Sequence, residues 1–437
     1  MRACVTVVLL LTLLGWVLPA AAQTTLGYKD PADTSNLLEY RLPDWTFRTW
    51  DADFALQGGG AEARNSGIVG LSNSFSSRLG TNFRQAWESE VRDLTLTGAL
   101  NGDYRRAHSG REDAENKSRA LRGAYRLGAS GRYYLGSGPL SLGASVYSDG
   151  NYTEDVRETR LVEDWSDITN IRRQTSHELE GSLGVGRVRN VVPLLRAQRL
   201  SERLMTLGRE ALSGAQVQEV ARVLAKEYGY REVFDRSDRH FWDDVLAPML
   251  DPDNPLSTLE VFYLTDVLNE AVGNRLQGWQ VQAWYRYRER NRSGGSEDTQ
   301  NRSLSPQASV VWAHNFSLTQ QLRLSGRWGY YWAYSGAYSQ ESTTHGGTGE
   351  YLWNLTDRYT WTTVMFYDSD AMIDDSASRA KVAGLETNFR VWVEDQVSLY
   401  AGVNGQYRWT ARGDDETLSW NWGYRMGLEY HLDRWLF

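Results

Sequence analysis

Cysteine and proline are scarce in this sequence. Only one of the 437 residues is Cys, and nine are Pro. The single cysteine, Cys4, precedes an N-terminal apolar run that we expect to be removed, so the mature chain can form neither a disulfide nor a thiolate–metal site. A chain of this length without disulfides must be held together by backbone pairing and side-chain packing.

Long hydrophobic runs are also absent beyond the N-terminus, where no segment has the roughly 18 consecutive apolar residues of a transmembrane helix. The one apolar run, Val5–Val17, follows Arg2 and precedes the small residues Ala20–Ala22. This pattern is typical of a secretory signal peptide that is cleaved before Gln23. We therefore assign residues 1–22 to a signal peptide and expect an exported protein.

An excess of positive charge and the common catalytic motifs are missing as well. The formal net charge is −8, which argues against a general nucleic-acid-binding protein. None of the six His residues belongs to a recognisable nucleophile–base pattern, and neither Gly-x-Ser-x-Gly nor His-Glu-x-x-His occurs. We predict a protein that is not an enzyme and that binds no cofactor, metal or nucleic acid.

Aromatic residues, in contrast, are abundant, and near the C-terminus they alternate with polar residues. Every second position from Leu418 to Leu432 is apolar, and a period of two places these side chains on one face of a strand. A long strand that is apolar on one face and polar on the other suits a closed barrel in a lipid bilayer. The residues predicted to anchor this strand in the membrane and to signal its assembly are Trp420, Trp422, Tyr424, Tyr430 and Phe437.

The same alternation recurs along the chain and predicts an all-β fold, a transmembrane antiparallel up-and-down β-barrel of about 14 strands, within a range of 12 to 16. A soluble β-sandwich also alternates, but its strands would be shorter and its inner face would carry fewer Arg residues. The predicted strands lie near residues 44–58, 68–87, 90–106, 118–135, 140–157, 172–189, 277–292, 302–316, 321–340, 346–356, 358–369, 379–394, 397–411 and 416–432.

The lengths of the connections predict an orientation. Short links, such as residues 88–90, alternate with longer polar links such as 59–67, 107–117 and 158–171. Barrels of this kind have short periplasmic turns and longer loops outside the cell. The N-terminal segment 23–43 and the C-terminus are therefore predicted to be periplasmic.

The alternation is interrupted once. It stops at about residue 190 and resumes at about residue 276, which divides the predicted barrel into residues 44–190 and 276–437. By the count of turns, the segment 191–275 between the two parts joins a strand that runs towards the periplasm to one that runs away from it. This segment is therefore predicted to be a periplasmic insert.

Helical signals dominate the insert and predict four α-helices. Pro193 suits the first turn of a helix, and two capping boxes begin at Ser213 and Ser257, which are followed three residues later by Gln216 and Glu260. Such an insert either plugs the lumen, packs on the barrel mouth or presents a surface to a periplasmic protein partner. We favour a plug or a constriction of the mouth.

Arginine is frequent at the polar positions of the predicted strands. A ring of like charge inside a pore attracts solutes of the opposite charge, and guanidinium groups suit carboxylate, sulfate and phosphate. The alternative is an internal network of Arg–carboxylate pairs that fills and rigidifies a narrow barrel. The pore-lining candidates are Arg84, Arg105, Arg122, Arg126, Arg132, Arg286, Arg288, Arg323, Arg327, Arg390, Arg408, Arg425, Asp103, Glu386 and Glu429.

The signal peptide, the alternating strands and the terminal Phe437 together resemble the porin-like outer-membrane β-barrels of Gram-negative bacteria as a class, without the motif of a specific family. The resemblance implies a location in the outer membrane and contact with its lipid and lipopolysaccharide. It also implies insertion by the barrel-assembly machinery through the C-terminal strand. The helical insert departs from ordinary diffusion porins, which are constricted by a loop that folds in from outside.

These patterns lead to two main functional hypotheses, and a structural or enzymatic barrel remains a third. The first is a channel for small hydrophilic, anionic solutes or saccharides that is constricted or gated by the insert. The second is the outer-membrane barrel of a surface-polysaccharide export or secretion assembly, in which the insert docks a partner.

Overall fold

The computed structural model describes most of the chain beyond its N-terminal segment. The predicted signal peptide (1–22), residues 23–39 and Phe437 lie outside the described residues. The described ranges are 40–65, 68–111, 114–136, 138–161, 164–250, 254–270, 272–294, 298–334, 340–355, 359–373, 378–394, 397–413 and 415–430.

Fourteen strands form one antiparallel sheet in which each strand pairs with its neighbours in sequence. The predicted up-and-down order, the strand count and the helical insert are confirmed. Within the described residues β1 and β14 do not pair with each other, so the sheet is open along that edge. The strands are β1 Trp45–Asn65, β2 Ile68–Glu88, β3 Arg92–Arg111, β4 Ala114–Tyr134, β5 Leu140–Leu161, β6 Asp164–Asn190, β7 Leu276–Ser293, β8 Thr299–Asn315, β9 Gln320–Ala333, β10 Gln340–Asn354, β11 Tyr359–Met372, β12 Ser378–Glu394, β13 Val397–Arg412 and β14 Asp415–Tyr430.

The register gives the sheet two chemically different faces. Val403 on β13 is the partner of Tyr424 on β14, and Tyr407 is the partner of Trp420, so these side chains point to the same side. On this side Trp422 and Tyr424 are 67% and 71% exposed. We call it the apolar face and its opposite the polar face.

The apolar face forms a belt of limited height. On β3 it is apolar from Leu94, close to the start of the strand, to Tyr104, and it then carries Arg106 and His108. At 3.3 Å per residue and a tilt of about 40°, Leu94 to Tyr104 spans about 25 Å, the height of the apolar band of transmembrane barrels. The belt thus begins at the end of the sheet that carries the insert, the insert end, while β3 continues beyond it at the far end.

The long polar links predicted in the first half of the sheet are wrong. Beyond the belt the strands stay paired, and polar side chains form contacts within and between them. His108 Nε2 lies 2.8 Å from Glu115 Oε1, and Lys117 Nζ lies 3.0 Å from the same oxygen. Such pairs stabilise a sheet in water as well as in lipid. Residues predicted as links but found mainly in strands belong to 59–67, 107–117 and 158–171.

The helical insert between β6 and β7 has five α-helices among the described residues, not the four predicted. The helix predicted to follow the capping box at Ser213 is interrupted at Ala225 and Lys226, and a separate helix that contains Gly229 follows. Both predicted capping boxes are present. The helices are α1 Val192–Thr206, α2 Gly214–Leu224, α3 Glu227–Val233, α4 Ser237–Leu246 and α5 Thr258–Thr265, with short 3₁₀ turns at Ala247–Met249 and Asp266–Asn269.

The insert has its own apolar core. Leu200 on α1, Val220 on α2, Val245 on α4 and Leu264 on α5 are fully buried in one cluster, and Tyr40 from the segment before β1 is buried with them. Each side chain of this size contributes about 1.5–3 kcal/mol when it is removed from water. The insert is therefore a packed unit rather than a loop. No helix in the described ranges is both long and apolar enough to cross a membrane.

Helix α3 packs closely on β1. A Cβ atom at Gly229 would lie 3.0 Å from Cζ3 of Trp45, so a larger residue there would force the Trp45 ring or α3 to move. We predict that Gly229→Leu separates α3 from β1 and destabilises the insert by about 1–3 kcal/mol through overpacking. Limited proteolysis of the folded protein would show faster cleavage within the insert.

The matched control is Gly214→Ala in α2, because a Cβ atom there would have no neighbour within 4 Å. Equal protease resistance of Gly229→Leu and the unmodified protein would contradict the packing of α3 on β1.

Candidate functional site

The predicted pore-lining residues share one face of the sheet, the polar face. Arg122 is the strand partner of Asp103. Arg425 is the strand partner of Gly402, and Gly402 pairs in turn with Asn388 on the next strand. Asn404, two residues after Gly402, lies on the same face. The alternation of each strand extends these assignments to the whole set. Whether this face lines a pore stays a prediction. Its members are Arg84, Arg105, Arg122, Arg126, Arg132, Arg286, Arg288, Arg323, Arg327, Arg390, Arg408, Arg425, Asp103, Glu386 and Glu429.

The polar face is concave. Arg132 Nη2 on β4 donates a hydrogen bond of 2.8 Å to Gln282 Oε1 on β7, across two intervening strands. The strand partners of these two residues are Gly143 on β5 and Gly184 on β6, which have no side chain to block the bond. A bond of this reach requires strong curvature, so the polar face is the inside of the curved sheet and the apolar face is the outside.

Carboxylates neutralise part of the arginine set. On β6 and β7, Arg286 lies 3.1 Å from Glu178 and 2.9 Å from Glu180, and Glu178 also pairs with Arg288. These pairs are partly exposed, so each contributes at most about 1 kcal/mol to stability. The other pairs on this face are Arg105–Asp103 at 2.9 Å, Arg323–Glu350 at 3.7 Å, Arg327–Asp368 at 2.6 Å, Arg390–Glu429 at 3.3 Å and Arg425–Glu386 at 2.6 Å.

Other arginines of the set contact no carboxylate within the described part of the chain. Arg122, Arg126 and Arg408 have no ion pair there, and Arg132 contacts only the amide of Gln282. Arg122 and Arg126 lie near the middle of β4, and Arg408 lies four residues before the end of β13. Their nearest acidic positions are the strand partners Asp103 and Asp149 of Arg122 and Arg126. Low-dielectric walls focus the potential of charges that form no ion pair on the concave face.

The insert contacts this face near the start of β1. The guanidinium of Arg84 lies 4.8 Å from the ring centre of Tyr228 on α3 and 5.7 Å from that of Phe47 on β1, and it donates a hydrogen bond to the Tyr228 hydroxyl. Phe47 and Tyr228 pack edge to face with ring centres 5.7 Å apart. Cation–π and aromatic contacts of this kind contribute about 0.5–2 kcal/mol each.

On its other side the insert is bonded to the turn between β8 and β9 and to the end of β10. Arg275, which is fully buried, donates from Nη2 to the Thr319 carbonyl at 2.5 Å, and Gln321 Nε2 donates to the Asn274 carbonyl at 3.1 Å. Asn354 Nδ2 of β10 donates to the Val272 carbonyl at 2.8 Å. Burial lowers the pKa of Arg275 to about 9, since the charged form loses water and lies near Arg199.

These two sets of contacts connect the insert to two separate parts of the sheet. It touches β2 through Arg84 and the β8–β9 turn through Thr319, and β2 and β9 stand seven positions apart in a sheet of fourteen strands. The insert therefore bridges the insert ends of strands that are distant in the strand order.

A carboxylate fixes the chain segment that enters β1. Glu90 in the β2–β3 turn accepts hydrogen bonds from the Leu42 backbone N–H at 2.7 Å and from Arg189 at 3.2 and 3.1 Å, and Arg187 adds a bond at 3.2 Å. Burial acts to raise the pKa of Glu90, but the bonds from Arg189 and Leu42 outweigh it and hold the pKa below its ordinary value. The segment before β1 is thereby held against the end of β6.

The contacts between the insert and the sheet could not be predicted from the sequence. Phe47 breaks the alternation of β1, because it points to the polar face while Trp50 points to the apolar face. This shift of parity was the available signal that Phe47 has a protein partner rather than lipid. Its partner Tyr228 is too distant in sequence for any local pattern to identify.

No metal-binding group of three His, Cys, Asp or Glu side chains occurs among the residues that the structure covers. Ser148 Oγ lies 3.0 Å from His177 Nδ1 on the apolar face. Within the same residues no carboxylate contacts this imidazole.

No protein-family model matches the chain, and no curated protein matches its sequence. Solved structures that resemble it include the translocator domain of the autotransporter NalP from Neisseria meningitidis, at 10% identity over 94% of this chain and 97% of that chain, with a TM-score of 0.19.

Two further similar structures have somewhat higher TM-scores. The ferric yersiniabactin uptake receptor FyuA from Yersinia pestis is 8% identical over 84% of this chain and 50% of that chain, with a TM-score of 0.34. A loop-deletion mutant of OmpT, an outer membrane protein of Vibrio cholerae, is 8% identical over 88% of this chain and 99% of that chain, with a TM-score of 0.28. At such scores the likenesses carry no argument about function, which depends on the two faces and the insert.

The Glu90 contacts predict a pH dependence. A carboxyl whose pKa is depressed on folding stabilises the folded state above its ordinary pKa of 4.5, and this contribution is lost as the pH falls through the lower folded value. We expect Glu90→Gln to lower the melting temperature of the helical signal at pH 7, and to have little effect at pH 2–3.

Circular dichroism of the detergent-solubilised protein measures this difference. Glu210→Gln is the control, because Glu210 is an exposed carboxylate of the insert. A melting temperature of Glu90→Gln that equals that of the unmodified protein at both pH values would refute the role of Glu90.

Proposed function

We propose that the protein is an outer-membrane channel or transporter for small hydrophilic solutes, with a preference for anions or anionic saccharides, and that the insert constricts its periplasmic mouth. The observation that carries this proposal is the insert itself, which reaches from Arg84 on β2 to Thr319 beside β9. A packed helical unit that bridges strands seven positions apart would restrict passage along the inside of a barrel closed from this sheet.

The membrane location is supported by the chemistry of the apolar face. An exposed belt about 25 Å high requires hydrocarbon rather than water around it, because apolar patches of this extent are rare on soluble proteins. The strands end close to the belt at the insert end and extend beyond it at the far end. This asymmetry favours the periplasm for the insert end, and β14 would then be the strand read by the barrel-assembly machinery.

The anion preference is supported by the unequal neutralisation of the concave face. Arg122, Arg126 and Arg408 form no ion pair among the described residues, whereas Arg286, Arg288 and others are paired. In a narrow polar lumen such charge raises the local concentration of anions. Guanidinium groups also bind carboxylate and phosphate in a planar, two-point geometry.

The test is the ion selectivity of single channels in planar bilayers. We expect the unmodified channel to prefer anions, and Arg122→Gln with Arg126→Gln to shift the reversal potential towards cations. The matched control is Arg327→Gln with Asp368→Asn, which removes an ion pair from the same face without changing net charge. A cation-selective or silent unmodified protein, or an equal shift in the control, would contradict the proposal.

A second function is favoured by the outer surface of the insert. Leu259 and Phe262 on α5 are 81% and 50% exposed, although the insert has a well-packed core of its own. Exposed apolar side chains next to one another on a helix indicate a contact surface. They support a role in a surface-polysaccharide export or secretion assembly, in which the insert docks a periplasmic partner.

Two variants separate the functions. For a constricted channel, Gly229→Leu should increase conductance, while Leu259→Asp with Phe262→Asp should leave it unchanged. For a docking module, the double variant should abolish polysaccharide export by cells with conductance intact. Glu210→Gln, also exposed on the insert, controls for surface changes. Normal export by the double variant would eliminate the second function.

A further inference from the structure

The segment that enters β1 joins the insert to the sheet. Residues 40–44, which we call the strap, precede Trp45, the first residue of β1. Tyr40 at the start of the strap is fully buried in the apolar core of the insert, and Leu42 packs against the same core. The Leu42 N–H is bonded to Glu90 in the β2–β3 turn at 2.7 Å. The strap therefore holds the insert core to the sheet on the side of β1 and β2.

Tyr40 is an imperfect anchor for an apolar core. Its hydroxyl is buried and has no hydrogen-bond partner among the described residues. Burial, together with the charges of Glu88 and Glu90, raises the pKa of Tyr40, so the hydroxyl stays a neutral donor that lacks an acceptor. A buried polar group without a partner destabilises the folded state, whereas the same group forms hydrogen bonds in water. The ring of Tyr40 therefore favours the buried position, and the hydroxyl opposes it.

The attachment of the insert to β8, β9 and β10 is more heavily bonded. Arg275, Gln321 and Asn354 are fully buried, and each donates to a backbone carbonyl across this junction. Gln321 also accepts a bond of 2.5 Å from the Leu276 N–H. Arg275 and Asn354 each have one unpartnered atom as well, but their other polar atoms hold them in place. Separation at this junction would leave several buried polar groups without partners, which is costly.

The remaining contacts on the side of β1 and β2 are more exposed. Helix α3 touches β2 through Tyr228 and Arg84, and Tyr228 is 42% exposed. Cation–π contacts at exposed sites are weak. The insert is therefore held firmly on one side and, apart from Tyr40, weakly on the other.

We propose that Tyr40 is a releasable latch of the channel, fixed to the sheet by the bond between Leu42 and Glu90. When the insert core separates from Tyr40, the insert pivots away from β1 and β2 about its attachment to β8–β10, and the periplasmic mouth opens. This inference rests on the proposed constriction by the insert. The unpartnered hydroxyl brings the free energies of the latched and released states closer together, so that both are populated.

Two substitutions of Tyr40 distinguish a latch of this kind from an ordinary core residue, because they act in opposite directions. Tyr40→Phe keeps the ring and removes the unpartnered hydroxyl, so we expect the ratio of open to closed time of single channels in planar bilayers to fall about fivefold. Tyr40→Ala removes the ring, and the ratio should rise. The matched control is Tyr230→Phe, because the Tyr230 hydroxyl of the same insert is bonded to Asp244. A ratio that Tyr40→Phe leaves unchanged or raises would overturn the latch.

Cysteine labelling follows the same movement without conduction. The predicted mature chain has no cysteine, since Cys4 is the only one in the sequence. Val220→Cys places a thiol in the core that Tyr40 enters, and Ala313→Cys places one at a buried position on β8. In the detergent-solubilised full-length protein, Tyr40→Ala should accelerate maleimide labelling at position 220 and leave position 313 protected, and Tyr40→Phe should slow labelling at position 220.

The two readouts separate this inference from the proposed function. A conducting protein whose open time and labelling do not respond to Tyr40 substitutions would overturn the latch and leave the channel intact. A protein that forms no channel but shows the expected labelling would overturn the proposed function and support the release of Tyr40. Faster labelling at both positions in Tyr40→Ala would indicate unfolding of the insert and contradict a pivot about β8–β10.

Discussion

The structure depends on one constraint, which is that backbone N–H and C=O groups cannot remain unpaired in hydrocarbon. The meander satisfies it for β2 to β13, since each of these strands is bonded on both sides. Only the outer edges of β1 and β14 lack a partner among the described residues. In a bilayer these two edges must pair with each other, because each exposed backbone group would cost several kcal/mol. The curvature that the Arg132–Gln282 bond indicates has the sense that such closure requires.

The sheet could be predicted from sequence because the period of two is a local property. The alternation within each strand shows which of its residues share a face. The fourteen strands and the common face of the arginines can therefore be predicted without knowing which strands pair. The strand ends could not be predicted in the same way. Outside the belt the paired strands are polar on both faces, as at His108, Glu115 and Lys117, and therefore look like loops. The alternation of period two indicates contact with lipid rather than hydrogen bonding between strands, and it stops at the margin of the belt.

For a related reason, only part of the candidate site could be predicted from the sequence. The position of Arg286 on the polar face is local, but its partner Glu180 is 106 residues away, so pairing and net charge emerge only from the fold. The same holds for the contact between Gly229 of α3 and Trp45 of β1, which joins segments far apart in the sequence. The capping boxes at Ser213 and Ser257, by contrast, depend only on neighbouring residues, and both predictions are confirmed.

The proposed channel carries arginines at different heights along the axis of the sheet. Arg122 and Arg126 lie near the middle of β4 and Arg408 lies in the far part of β13, whereas Arg84 and Arg132 lie at the insert end. The Debye length at physiological ionic strength is about 8 Å, so the first group acts little on solutes beside the insert, where Arg84 and Arg132 act directly. In the proposed channel a solute from the far end therefore meets cationic side chains before it reaches the insert and meets them again beside it.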